Sequence, residues 1–129
     1  MKRKTISELL EETRARIDRV SPAEAAAEVG DGALLVDIRS ESQRAADGVV
    51  PGALYHPRNV LEWRLDPASG HDDPQVGGVE RRVIVMCDAG YASSLAAATL
   101  REIGFARAAD LDGGFQAWRG AGLPVDPLD

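Results

Sequence analysis

Val83-Ile84-Val85-Met86-Cys87-Asp88-Ala89-Gly90-Tyr91-Ala92-Ser93-Ser94-Leu95-Ala96-Ala97-Ala98-Thr99-Leu100 contains the only cysteine of this 129-residue chain. Val83 to Met86 is a short β-rich run and reads as a buried strand. Ser93 or Ser94 opens the stretch Leu95 to Leu100, whose alanines and leucines favour a helix. Between strand and helix lies a short turn in which Gly90 can take positive φ. The order strand, turn, helix sets the Cys87 thiol at a helix N-terminus. Unpaired N–H donors and about half a positive charge there stabilise an anion, a thiolate included. The terminus contributes up to about 2 kcal/mol, and each further N–H bond to a charged acceptor about 1.5–3 kcal/mol. Loop amides alone therefore suffice to favour an anionic sulfur. A buried cysteine lacking such donors is only a small inert hydrophobe.

Outward from this unit, strands and helices alternate. Thr5-Ile6-Ser7-Glu8 has the form of a capping box, and Ile6, Leu9, Leu10, Thr13, Ile17 and Val20 continue a helical stripe, predicting a first helix over Thr5 to Arg19. Ser21-Pro22-Ala23-Glu24 starts a second helix that stops at Gly30. Ala33 to Val36 reads as a buried strand ending at Asp37-Ile38-Arg39, and Gly48 to Tyr55 as a turn into another short strand. Asn59 to Leu65 is a short helix, and Asp66 to Glu80 a long surface loop rich in Pro, Gly and Asp. Ala106 to Leu111 supplies a further strand, and Gly113 to Trp118 leads into a last helix. Such alternation predicts an α/β fold with a parallel sheet covered on both faces. Ligands of such folds gather at the carboxyl ends of strands, where Cys87 stands.

Composition narrows the function classes. The length suits one core. A net charge of −6 argues against a nucleic-acid partner or a basic membrane-surface role. No apolar run approaches a membrane span, and Met1-Lys2-Arg3-Lys4 is followed by acidic residues where a secretory signal would be apolar. One cysteine builds no disulfide framework, so a cytoplasmic location is expected. His56 and His71 lie in different segments and, with one Cys, give no zinc-ligand spacing, so neither metal nor cofactor is expected. Trp118 and Phe115 read as core aromatics; burial is expected for Trp63 too.

Four segments in order resemble the rhodanese-homology domain family, from about Val20 to Val125. Val36-Asp37-Ile38-Arg39 is similar to the family's strand-end Asp-x-Arg. Gly48-Val49-Val50-Pro51-Gly52-Ala53 resembles Gly-His-Ile-Pro-Gly-Ala, with Val49 in place of His. Cys87 to Ser93 resembles the active-site loop Cys-x-x-Gly-x-Arg-Ser, and Leu111-Asp112-Gly113-Gly114-Phe115-Gln116-Ala117-Trp118 the closing Leu-x-Gly-Gly-Phe-x-x-Trp. The resemblance implies a three-layer α/β domain over residues 21–129 with a central, mainly parallel five-stranded sheet, preceded by an N-terminal helical extension over residues 1–20. It also implies a sulfurtransferase in which Cys87 takes a sulfane sulfur from a donor, becomes a persulfide and passes the sulfur to a nucleophile. Phosphatase-like and arsenate-reductase-like relatives have one more loop residue and an arginine that this loop lacks.

On this reading Cys87 is catalytic, and Asp88, Ala89, Gly90, Tyr91, Ala92 and Ser93 form the substrate-binding cradle. Asp37 and Arg39 read as a structural ion pair beneath it. Tyr91 either walls the mouth or is a surface aromatic. The departure is Ala92, where many relatives carry Arg. An opposed unit charge at such range is worth about 3–4 kcal/mol at an effective dielectric near 20, so its loss weakens binding of dianionic thiosulfate. Either Arg58 reaches the site and restores the charge, or the donor is a persulfide carried on a small molecule or a protein. Expected partners are small sulfur donors and acceptors or a persulfide-carrying protein, the chain being a monomer or homodimer. The competing reading is a binding or regulatory module that kept the fold and lost turnover, which Ala92 and Val49 favour and Cys87 and Gly90 oppose.

Overall fold

A computed structural model describes residues 2–129; Met1, with which the charged N-terminal stretch begins, lies outside them. The elements are α1 (Ile6–Arg14), β1 (Asp18–Val20), α2 (Pro22–Gly30), β2 (Leu34–Asp37), α3 (Glu41–Asp47), β3 (Leu54–Tyr55), α4 (Leu61–Leu65), β4 (Val83–Met86), α5 (Ala92–Glu102), β5 (Ala109–Leu111) and α6 (Gly114–Gly120). The five strands form one sheet in the order β1-β5-β4-β2-β3, every pairing parallel. Side chains alternate across the central strands, as period-two geometry requires. Leu34, Val36, Val83 and Val85 pack on one face with Ile17, Leu61, Leu65, Ala96, Leu100 and Phe105. Leu35, Ile84 and Met86 pack on the other with Ala25, Phe115 and Trp118. Both faces are covered, and β4, buried on both sides, is a continuous apolar run for that reason.

Local chemistry sets most boundaries. Thr5 with Glu8, Ser21 with Glu24 and Ser40 with Gln43 form reciprocal capping boxes. The third starts α3, which the sequence reading missed: that helix buries no residue and so shows no apolar stripe. The expected first helix is shorter than the stripe suggested. It ends at Arg14, and Asp18 to Val20 is an edge strand in parallel register with Ala109 to Leu111. Ile17 and Val20 are both buried, one on each side of the sheet, and their spacing of three mimics a helical turn. Asn59 and Val60 lie outside α4, and β5 is confined to Ala109–Leu111. The long loop is anchored. It contains a 3-10 turn at Pro74–Val76, buries Val76, and closes a buried contact in which His56 Nε2 lies 2.9 Å from an Asp73 carboxylate oxygen. Trp63 corrects the expectation of burial: it is 57% exposed. No helix among the described residues is long and apolar enough to cross a membrane.

Candidate active site

Cys87 follows the last residue of β4 at the carboxyl edge of the sheet and is 7% exposed. Its Sγ accepts the backbone N–H of Gly90 at 3.1 Å and of Ser93 at 3.4 Å, and lies 3.3 Å from Ser93 Oγ. The start of α5 explains this cage. The helix begins at Ala92, ahead of the expected serines, with Tyr91 as an N-cap that makes no side-chain bond. Sulfur fills that role instead, accepting an orphan N–H of the first turn. Ser93 and Ser94, expected to cap, are buried, and both donate to Asp110 Oδ2, at 2.9 and 2.8 Å. Freed from capping, the two hydroxyls tie the first turn of α5 to the sheet.

The segment Gly113-Gly114-Phe115-Gln116 braces the loop from the other side. Phe115 N–H donates to the Cys87 carbonyl at 2.8 Å, and Gln116 N–H to that of Asp88 at 3.1 Å. Gln116 Nε2 also holds the Asp88 carboxylate at 2.9 Å. Gly114 has φ +62, and a Cβ there would stand 2.6 Å from the carbonyl oxygens of both Cys87 and Asp88. A side chain at that position would push the cysteine out of place. The glycine pair is thus a packing device as well as the turn the sequence suggested.

Ile38, Arg39, Ser40, Gln43, Cys87, Asp88, Ala89, Tyr91 and Ala92 line an open cavity of about 220 Å³. A larger cleft at the opposite end of the sheet, bounded by Glu28, Arg81, Arg82 and Arg107, holds no nucleophile. Tyr91, 62% exposed, stands at the mouth of the cavity. Arg39 is buried and gives its backbone N–H and Nε to Asp37 Oδ1, and its terminal NH2 to Asp37 Oδ2 at 2.9 Å and to the Gly48 carbonyl at 2.8 Å. Its guanidinium also stacks 3.8 Å from the Phe115 ring centroid. Pinned on these partners, Arg39 ties the β2 end to the α3–β3 connection. Arg58 is directed elsewhere: it makes a two-oxygen contact with Glu62, at 2.9 and 2.8 Å, and is not among the residues lining the cavity. The Asp88 carboxylate is the other charge at the rim; Asp37 neutralises Arg39, whose Nη1 alone is buried without a partner.

Three residues outside the motifs join the site. Asp110, fully buried on β5, receives Arg19 Nε at 3.0 Å besides the two serines. Arg19 also reaches the Gly90 carbonyl at 3.0 Å, and Arg14, from α1, reaches it at 2.8 Å. No local pattern signals contacts between residues more than seventy positions apart.

Known proteins resemble this chain over most of its length. The chain is 34% identical over 109 residues to a sulfurtransferase of Allochromatium vinosum, covering 84% of this chain and 92% of that one. It is 37% identical over 101 residues to the thiosulfate sulfurtransferase GlpE of Ectopseudomonas mendocina, covering 78% and 84%. Among solved structures, a Rhodopseudomonas palustris CGA009 protein of unknown function, described as a possible tyrosine phosphatase, superposes with TM-score 0.88 at 32% identity over 98% of this chain and 97% of that one. The rhodanese-like domain model matches residues 21–121, and the chain belongs to that family.

Proposed function

We propose that this protein is a rhodanese-type sulfurtransferase working through a persulfide on Cys87. The observation that carries the reading is the pair of amides, Gly90 and Ser93, directed at a sulfur on the floor of an open cavity. The Cys87 thiolate attacks the sulfane sulfur of a donor. A new S–S bond forms, the donor's S–S bond breaks, and the thiolate or sulfite leaves with the electron pair. An acceptor nucleophile then attacks the outer sulfur, and Cys87 leaves as thiolate. The cycle is redox-neutral and of the ping-pong kind. Fixed amides stabilise the negative sulfur at each stage, in the manner of an oxyanion hole.

The donor follows from charge. With Ala92 carrying no cation, Arg39 bound to Asp37 and Arg58 bound to Glu62, little opposes the repulsion between thiosulfate and Asp88. A persulfide on a small molecule or protein carries less charge and suits the cavity better, although relatives bear the thiosulfate name. Single-turnover loading from equal concentrations of thiosulfate and a low-molecular-weight persulfide tests this. The expected result is at least about tenfold faster loading from the persulfide, none of it in Cys87→Ser. Faster loading from thiosulfate contradicts the donor assignment, and no loading from either contradicts the transferase.

The R. palustris neighbour's description brings a second reading, phosphate-ester hydrolysis. Recognition of a phosphate dianion uses bidentate guanidinium donors. The one guanidinium lining this cavity gives Nε and a terminal nitrogen to Asp37 and keeps only the buried Nη1 unpartnered, so it offers no bidentate face and turnover of an aryl phosphate is expected at background.

A further inference from the structure

We propose that Arg14 and Arg19 are positioning residues for Cys87, acting through the Gly90 carbonyl, and that Arg14 supplies from α1 a positive charge felt by the sulfur, from outside the cavity that a donor enters. For turnover this rests on the sulfurtransferase reading; for thiol reactivity it stands alone. Gly90 donates its N–H to the sulfur at 3.1 Å, and its carbonyl accepts from two guanidinia, Arg14 at 2.8 Å and Arg19 at 3.0 Å. Both peptide planes that meet at its Cα are thereby held. In a trans peptide the C=O and the following N–H point in opposite directions, so fixing the Gly90 carbonyl behind the loop turns the Tyr91 N–H away from the arginines.

The two cations are not equivalent. Arg19 is neutralised by Asp110, at 3.0 and 3.2 Å, and by Asp112 at 3.0 Å. Arg14 pairs with no carboxylate among the described residues. Its Nε donates to Ser94 Oγ at 3.1 Å and its guanidinium lies 5.5 Å from the Tyr91 ring centroid. All its partners belong to the loop or to the first turn of α5. Its position is secured because α1 carries a complete capping box and buries the preceding Thr13. A guanidinium left uncompensated against the backbone of an anion cradle raises the potential inside it. A unit charge separated from the sulfur by the Gly90 backbone, at the effective dielectric of a partly buried site, shifts the anion's population about tenfold.

The test uses full-length wild type, Arg14→Gln and Arg14→Lys, with thermal melting as the folding control. Two rates are read at neutral pH: iodoacetamide alkylation of Cys87, and sulfur loading from a low-molecular-weight persulfide. Arg14→Gln is expected to slow both by about five- to thirtyfold, with Arg14→Lys recovering to within about threefold of wild type. Wild-type rates in Arg14→Gln overturn the proposal, as does equal loss in the glutamine and lysine variants, since charge would then not be what Arg14 contributes. Alkylation that depends on Arg14 in a protein taking sulfur from no donor refutes the sulfurtransferase reading and supports this one.

Discussion

Replacing Gly90 by alanine separates backbone strain from steric contact in the cysteine cradle. Gly90 has φ +90, and a Cβ there would lie 2.8 Å from Gly113 N, 3.2 Å from Gly113 Cα and 3.3 Å from an Arg19 terminal nitrogen. Forcing an L-residue into the left-handed region costs about 1–2 kcal/mol. Intrusion on a packed backbone adds about 1–3 kcal/mol. Gly113 cannot retreat freely, because the adjoining Gly114 would then lose its fit against the Cys87 and Asp88 carbonyls. Gly90→Ala should therefore destabilise by about 2–5 kcal/mol, or roughly 1.3–3.3 M in urea midpoint at a slope near 1.5 kcal/mol/M. Gly32→Ala is the control: its φ is +105 with nothing within 4 Å of the new Cβ, so it carries only the backbone part. The assay is urea unfolding followed by tryptophan fluorescence, with iodoacetamide alkylation of Cys87 measured on the same samples. The alanine at 90 should lose more stability than the alanine at 32 and slow alkylation, because the Gly90 amide no longer meets the sulfur. Equal losses at the two positions, with alkylation unchanged, would refute the claim that Gly113 and Gly90 lock the cradle together.

Three further outcomes are expected. Ala92→Arg, at an exposed position on the rim, should lower the thiosulfate KM by about tenfold in a thiocyanate-release assay while leaving persulfide turnover within about threefold. Asp110→Ala strips Arg19, Ser93 and Ser94 of their shared acceptor and should cost about 3 kcal/mol in chemical denaturation, less than a fully buried pair because Arg19 is partly exposed. The Gln75 amide, with help from His56, holds the Asp73 carboxyl below the ordinary carboxylate range. That contribution is complete above the unfolded value near 4 and is lost as pH falls through the depressed folded one. Asp73→Asn should thus unfold more easily at pH 7 and show a smaller further loss between pH 5 and pH 2 than wild type, measured by urea midpoints.

What could be read in the sequence was local. The apolar run before Cys87, the glycine in the turn and the capping patterns at Thr5 and Ser21 each depend on neighbours a few residues apart, and the sheet follows from their alternation. β1 escaped because three residues give too little alternation, and Ile17 and Val20 happened to sit one helical turn apart. Trp63 was misjudged because apolar character alone does not tell which side of a five-residue helix meets the core. Arg58 looked like the missing cation because it follows a strand end, yet Glu62, one helical turn later, engages it. The contacts that shape the cradle most, Arg14 and Arg19 on Gly90 and Asp110 on the two serines, cross the chain and left no local mark.

The central claim is that caged Cys87 takes up a single sulfur, and intact mass spectrometry tests it most directly. After incubation with a low-molecular-weight persulfide, wild type should gain about 32 Da and lose it on adding cyanide, and Cys87→Ser should show no gain. A wild-type protein whose mass stays unchanged with persulfide, thiosulfate and mercaptopyruvate alike would contradict the account.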